Sequence, residues 1–268
     1  MKPINKSAIV TGAAKRIGAG IAKALSSEGW FVYLHYNSSS EEAKQVLHEI
    51  KSNGGDGQLI NMDLSYPDCG EQIINQIDKA APPVELLINN AARFEYDNIS
   101  NINSASLDQH FFANVRGPIL LSKAFFELVE RGQQGCVINI LDNKIFALNP
   151  DYQDFILDNK IFALNPDYLS YTISKAALQC ATETFAMAMA PHVRVNGIAP
   201  GITLESGGQG ESSFQKGQKM SPMGKVSSVE DIIKALFFIV NTTSLNGHII
   251  TIDGGQRLQK LDRDVAFL

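Results

Sequence analysis

Cysteine and tryptophan are scarce in this chain: 268 residues carry three Cys and one Trp. Cys69, Cys136 and Cys180 are far apart and odd in number, so they do not read as a disulfide framework. No CxxC pair and no Cys/His cluster at metal-ligand spacing occurs. The sequence therefore offers no metal site, and it reads as a protein of a reduced, cytoplasmic compartment. Positive charge is not in excess. Lys and Arg number 23 against 28 Asp and Glu, a formal net charge of −5, which argues against nucleic acid or an anionic membrane as partner. No stretch approaches the roughly 18 apolar residues that span a bilayer. The opening MKPINKSAIVTG lacks the apolar run of about 7–15 residues that marks a secretory leader. Linker-like and low-complexity segments are also missing. With 44% hydrophobic residues, the chain has enough apolar material for one full core, and it reads as a single domain over 1–268.

What is present is alternation. Short apolar runs at 7–11, 30–36, 57–62, 84–89, 135–140, 192–197 and 247–252 read as strands. Amphipathic stretches at 17–27, 41–53, 70–80, 106–131, 172–190 and 229–241 read as helices. Several strands are apolar throughout, as expected when both sheet faces are covered. The pattern predicts right-handed βαβ units and an α/β fold, a doubly wound parallel sheet between two helical layers.

One segment breaks the pattern. ILDNKIFALNPDY occupies 140–152 and recurs unchanged at 156–168. Two copies are too few for a solenoid, which needs about three. The repeat reads as the tandem duplication of one loop.

The first strand runs into TGAAKRIGAG. Gly12 and Gly18 sit where a strand turns into a helix, with Arg16 and Ile17 between them. Glycine there permits a tight turn and close approach of a pyrophosphate, and the helix N-terminus offers it free N–H groups. The second strand ends in His35-Tyr36 followed by Asn37, Ser38 and Ser39. An Asp or Glu that would bind a ribose 2′-hydroxyl is absent there, while Lys15 and Arg16 supply positive charge for a 2′-phosphate. The reading is NADP(H) rather than NAD(H).

Taken together, further motifs resemble the short-chain dehydrogenase/reductase family over nearly the whole chain. They are the glycine loop, Asp63-Leu64, Asn89-Asn90-Ala91-Ala92, Asn114, Tyr171-x-x-x-Lys175, Pro200-Gly201 and Asp253-Gly254-Gly255. The resemblance implies a Rossmann fold and an oxidoreductase. It implies that Asp63 and Leu64 line an adenine pocket, and that Asn90, Ala91 and Ala92 pass the adenosine ribose. Tyr171 would donate a proton, Lys175 would hold the nicotinamide ribose, and Asn114 would anchor a water for proton relay. Pro200, Gly201 and Thr203 would face the cofactor. The glycine- and serine-rich segment after Gly201 would close over the substrate. A small-molecule substrate and a homotetramer, with a dimer as the alternative, are implied in the same way. The tyrosine assignment agrees with elementary chemistry: a free phenol titrates near ~10, and an ammonium one helical turn away favours its charged form.

Two departures narrow the resemblance. A carboxylate stands where most members carry a serine, and Arg16 replaces a loop glycine. Both are similar to pteridine reductases and bacterial dihydromonapterin reductases, as is Phe94, whose flat ring suits stacking on a bicyclic substrate. The duplication leaves two candidates for the carboxylate. Asp142 directly follows the fifth strand but lies 29 positions before Tyr171, whereas Asp158 keeps the family's spacing of 13 but lacks that strand. We favour Asp142. The expected function is NADPH-dependent reduction of a dihydropterin or dihydrofolate. A carbonyl or 3-oxoacyl reductase, or an NADP-binding protein impaired by the duplication, are the alternatives.

Overall fold

Every predicted apolar run becomes a strand, and helices connect each strand to the next. The computed structural model describes residues 2–129, 133–146, 167–204 and 221–258. In chain order the elements are β1 (Lys6–Val10), α1 (Arg16–Ser27), β2 (Trp30–Tyr36), α2 (Ser40–Ser52), β3 (Gly57–Asn61), α3 (Cys69–Ile74) and β4 (Val84–Asn89). They continue with α4 (Ser104–Phe111), α5 (Gly117–Leu128), β5 (Gly135–Ile140), α6 (Leu169–Ala188), β6 (Val193–Pro200), α7 (Val229–Asn241) and β7 (Ile249–Ile252). The strands form one seven-stranded sheet in the order β3-β2-β1-β4-β5-β6-β7. Every pairing in it is parallel.

The period of two along β1 divides the core. Ala8 and Val10 face one layer with Ile21, Leu25, Ile50, Ile232 and Leu236 of α1, α2 and α7. Ile9 faces the other with Ile73, Leu121, Phe125 and Ala186 of α3, α5 and α6. In α1 the buried positions are Gly18, Ile21, Ala22, Leu25 and Ser26, the 3–4 spacing of a helix with one face inward. Truncating a fully buried residue such as Leu25 to Ala would cost roughly 2–5 kcal/mol.

Strand order fixes where a ligand can sit. β1 pairs with both β2 and β4, so the chain winds one way to β3 and then the other way from β4. The crevice at that reversal opens at the carboxyl ends of the strands. All the loops that carry the sequence motifs emerge there.

Two helices differ from expectation. The stretch expected as one helix over 106–131 is interrupted by a π segment, Phe112–Arg116, between α4 and α5. Pro118 has no N–H to donate to the Asn114 carbonyl, and the Gly117 N–H reaches Phe112 instead, five residues back. The helix expected over 70–80 ends at Ile74. Its last bonds tighten to three-residue steps, Gln76 to Ile73 and Ile77 to Ile74, and the Gln58 side chain takes the Gln76 carbonyl. Among the described residues no helix is long and apolar enough to cross a membrane.

Candidate active site

A cavity of about 900 Å³ lies at the switch point. It is lined by Gly12, Arg16, Ile17 and Gly18 from the β1 turn, by His35 and Tyr36 at the end of β2 and Asn37 through Ser39 after it, and by Asp63 and Leu64 after β3. Asn90, Ala91, Ala92 and Phe94 line it after β4, Asp142 after β5, Tyr171 and Lys175 from α6, and Pro200, Gly201 and Thr203 after β6. Asn114 is the one expected site residue that does not line it.

The β1 turn is built for close approach. Gly12 has φ +64°, and a Cβ on Gly18 would lie 2.1 Å from the Gly12 carbonyl oxygen and 2.6 Å from Asn90 Nδ2. Only glycine fits position 18, and the turn stays tight against the N-terminus of α1. Arg16, in place of a glycine, takes φ +53°, a left-handed conformation that a side chain rarely adopts. The Asn90 side chain is committed to the turn: Nδ2 donates to the carbonyls of Thr11 at 2.9 Å and Gly12 at 3.2 Å. The Thr11 hydroxyl accepts the N–H groups of Asn90 and Ala91.

His35 is 1% exposed and holds the same turn from beneath. Its Nε2 is 2.9 Å from the Met62 carbonyl, which can only accept, and its Nδ1 is 3.2 Å from the Gly12 nitrogen, which can only donate. The two partners select the neutral tautomer with the proton on Nε2. Burial pulls the imidazole pKa down to about 4, although the Met62 carbonyl and the Asp63 charge work the other way. One ring thus ties the glycine turn to the segment carrying Asp63. Burial opposes ionisation of Asp63, but hydrogen bonds from Ser65 and Asn37 and the nearby His35 outweigh it and hold its carboxyl below the usual range.

The two cations of the turn point differently. Lys15 pairs with Glu42 at 2.8 Å near the start of α2, both side chains about half exposed, so it stands beside Ser38 and Ser39. Arg16 donates through Nη2 to the Leu204 carbonyl at 3.3 Å, bridging the cavity mouth to the segment after β6.

At the centre, the first turn of α6 delivers Tyr171 and the next turn Lys175 to the same face. The Tyr171 hydroxyl donates to Asp142 Oδ2 at 2.9 Å. Lys175, 2% exposed, donates to the Ile140 carbonyl at 2.7 Å, and its Nζ lies 5.7 Å from the Tyr171 ring centroid. Burial lowers the ammonium pKa to about 8, against an upward pull from Asp142. Asp142 comes from the first copy of the repeat, fastened by β5, which pairs with β4 as far as Asn139 and with β6 as far as Ile140. Asp158 lies outside the described residues, as does 205–220, the part of the expected closing segment that follows Leu204. The described parts of the repeat are thus the opening of copy one, through Phe146, and the last two residues of copy two, Asp167 and Tyr168.

The Asn114 side chain is spent on backbone and helix. Oδ1 accepts the Arg93 N–H at 2.7 Å, and Nδ2 donates to the Arg93 carbonyl and the Ser174 hydroxyl, each at 2.9 Å. Ser174 in turn donates to the Tyr171 carbonyl at 2.7 Å. Phe94 stands over the site, edge-on to Tyr171 with centroids 4.7 Å apart and stacked on Tyr168 at 4.5 Å.

Sequence reasoning missed Tyr168, the cavity-lining Arg93, Gln109 and Gln256, and Asp97, which binds the start of α6. Asp97 and Gln256 belong to no local motif, because their partners Ser170 and Ile202 lie tens of residues away.

Residues 6–145 match the sequence model of the short chain dehydrogenase family, and residues 160–257 match that of the enoyl-(acyl carrier protein) reductase family. The first match stops one residue past Lys144, and the second resumes at Lys160, the counterpart of Lys144 in the other copy of the repeat. The duplication therefore sits as an insertion within the family frame. Among solved structures, the chain is 31% identical to the FolM alternative dihydrofolate reductase 1 of Brucella canis complexed with NADP, with a TM-score of 0.82 and 96% of each chain covered. Among known sequences it is 26% identical to a short-chain type dehydrogenase/reductase of Picea abies, over 93% of this chain and 91% of that one. It is likewise 26% identical to the 3-oxoacyl-[acyl-carrier-protein] reductase FabG of Staphylococcus epidermidis, over 94% of this chain and 99% of that one. With a parallel sheet in the order 3-2-1-4-5-6-7, a glycine turn at its switch point and a Tyr–Lys pair facing that turn, the chain belongs to the short-chain dehydrogenase family and is an oxidoreductase.

Proposed function

We propose that the protein reduces a pteridine-type substrate, a dihydropterin or dihydrofolate, with NADPH. The observation that carries this reading is the 2.9 Å hydrogen bond from Tyr171 to Asp142 in a cavity shared with Phe94. NADPH, when bound, supplies the hydride. The residues present fit that cofactor. The turn around Gly12 and Gly18 leaves no space for a Cβ and brings the α1 N-terminus to the cavity, and Lys15, paired with Glu42, stands with Ser38 and Ser39 at a donor-rich corner for a 2′-phosphate. The Brucella canis relative, which is complexed with NADP, supports the same choice.

Tyr171 gives its phenolic proton to the ring nitrogen of the reduced C=N bond. Lys175, while charged, stabilises the phenolate left behind. Asp142 returns a proton to it, with resupply from solvent through water held at the Asn114 carbonyl, which Pro118 cannot engage. A carboxylate also binds the protonated edge of a pterin more strongly than a serine hydroxyl would. Phe94 offers a flat surface for the bicyclic ring. A cytoplasmic homotetramer is the assembly we infer; the edge position of β7 and the exposed Phe238 of α7 support association there.

The similarity to FabG favours a second reading, a carbonyl or 3-oxoacyl reductase. NADPH oxidation measured with dihydrobiopterin, dihydrofolate and an acetoacetyl thioester decides between them. Turnover of either pteridine supports the proposal; thioester turnover alone overturns it. NADPH binding without turnover of any substrate would point to a protein disabled by its duplication.

A further inference from the structure

Asp97 lies three positions after Phe94 in the loop following β4, and it is 3% exposed. Its main-chain carbonyl accepts the N–H of Tyr168 at 2.8 Å and of Leu169 at 3.4 Å. Its Oδ1 accepts the N–H of Ser170 at 3.0 Å, and its Oδ2 accepts the Ser106 hydroxyl at 2.9 Å. The acceptors of one residue thus take three successive N–H groups at the start of α6, donors that have no partner within their own helix. The carboxylate also opposes the positive end of the helix dipole. Tyr168 enters this arrangement with φ +59°, a conformation that persists in a tyrosine only when its surroundings hold it there. The holding comes from Asp97 on its N–H and from Phe94, stacked on its ring at 4.5 Å. The next residue after the clamp is Tyr171.

We propose that Asp97 is a positioning residue that sets Tyr171 against Asp142 independently of the number of residues joining them. Asp142 is placed by β5 on one side, and the first turn of α6 is placed by Asp97 on the other. The connection between Phe146 and Asp167 then carries no positional information. This accounts for a site that keeps a 2.9 Å contact across 29 positions where the family frame has 13. The inference rests on Tyr171 being the proton donor.

The test compares Asp97→Ala, Asp97→Asn and Ser106→Ala in the full chain and in a chain lacking residues 143–158. In the full chain, Asp97→Ala should lower kcat by about tenfold or more, because small displacements of a reacting group are costly. KM for NADPH should change by less than about twofold, since the cofactor cradle is built elsewhere. Asp97→Asn should retain most of kcat, because its amide oxygen still accepts the Ser170 N–H. In the shortened chain the loss from Asp97→Ala should be smaller, because the short connection itself confines Tyr171. Equal losses in both chains, or a loss taken up by KM for NADPH, would overturn the proposal. If Asp97→Ala does not fold, Ser106→Ala must show the same inequality in weaker form, and equal losses there overturn it as well. Hydrogen exchange at the amides of 168–170 supplies a readout free of turnover. Asp97→Ala should lose protection at Ser170, whose N–H the side chain accepts, more than at Tyr168 and Leu169, which the retained main-chain carbonyl still holds, and unchanged protection at Ser170 sinks the clamp. A Tyr171→Phe protein that keeps full turnover, with those amides still dependent on Asp97, would remove the catalytic reading and leave the clamp standing.

Discussion

Tyr171 donates its phenolic hydrogen to Asp142 over 2.9 Å, although a complete second copy of the segment that contains Asp142 lies between them in the chain. The carboxylate at the phenol is therefore the one that β5 delivers. If it relays protons, Asp142→Asn should reduce kcat by roughly 10²-fold or more, whereas Asp158→Asn should leave kcat within about twofold of wild type. Steady-state rates of the two variants at saturating NADPH check this, and the reverse ranking would transfer the role to Asp158.

Removing residues 143–158 joins Asp142 to the remaining copy without changing the sequence at either end of the loop. It shortens the separation from Tyr171 from 29 to 13 positions. A shorter loop closes at lower entropic cost by about 0.7 kcal/mol, so Tm should rise by about 1–3 °C and turnover should be retained. A shortened protein that does not fold, or that melts well below wild type, contradicts this account.

His35 predicts an acid limit to stability. Its pKa is about 4 in the folded protein, with burial as the main cause, against about 6.5 in the unfolded chain. The folded state thus favours the neutral ring. The stabilisation is complete above about pH 6.5 and is lost as pH falls toward 4, amounting to about 3 kcal/mol over that window. Denaturant titrations of wild type and His35→Asn between pH 7 and 4 should converge as the pH falls. Parallel curves would show that the ring contributes no such linkage.

Lys175 makes a prediction of the same sign at the alkaline end. Burial lowers its pKa to about 8, below its value of about 10.4 in an unfolded chain. The charged form is therefore disfavoured by folding, and this penalty is fully present below pH 8 and relieved as pH rises to about 10.4. Relative to Lys175→Met, the wild type should gain up to about 3 kcal/mol across that range. Its activity should fall over the same range as the charge that steadies the phenolate is lost. Calorimetry and the pH profile of kcat measure the two arms, and a stability difference that does not change with pH rules out the linkage.

Much of this architecture was legible before any coordinates. Strand and helix positions follow from local periodicity, and the pairing of Tyr171 with Lys175 follows from the pitch of a helix, because both depend on residues within one or two turns of each other. The glycine turn is equally local: Gly12 needs its positive φ and Gly18 its missing Cβ whatever the rest of the chain does. The break of the long helix at Phe112–Arg116 had a visible signal in Pro118, but the periodicity ran through it and concealed it.

The sequence by itself therefore determined the layered fold, the place of the crevice and the pairing of Tyr171 with Lys175 on one helix face. Only the tertiary structure decided which aspartate meets the phenol, what Asn114, Asn90 and His35 spend their polar groups on, and that Asp97 accepts the first N–H groups of α6. Two identical thirteen-residue segments have identical local preferences, so the preference for Asp142 over Asp158 rests only on the apolar strand that precedes the first copy. The choice is made by β5, whose hydrogen bonds to β4 and β6 bring Ile140, and the aspartate two residues on, to the crevice.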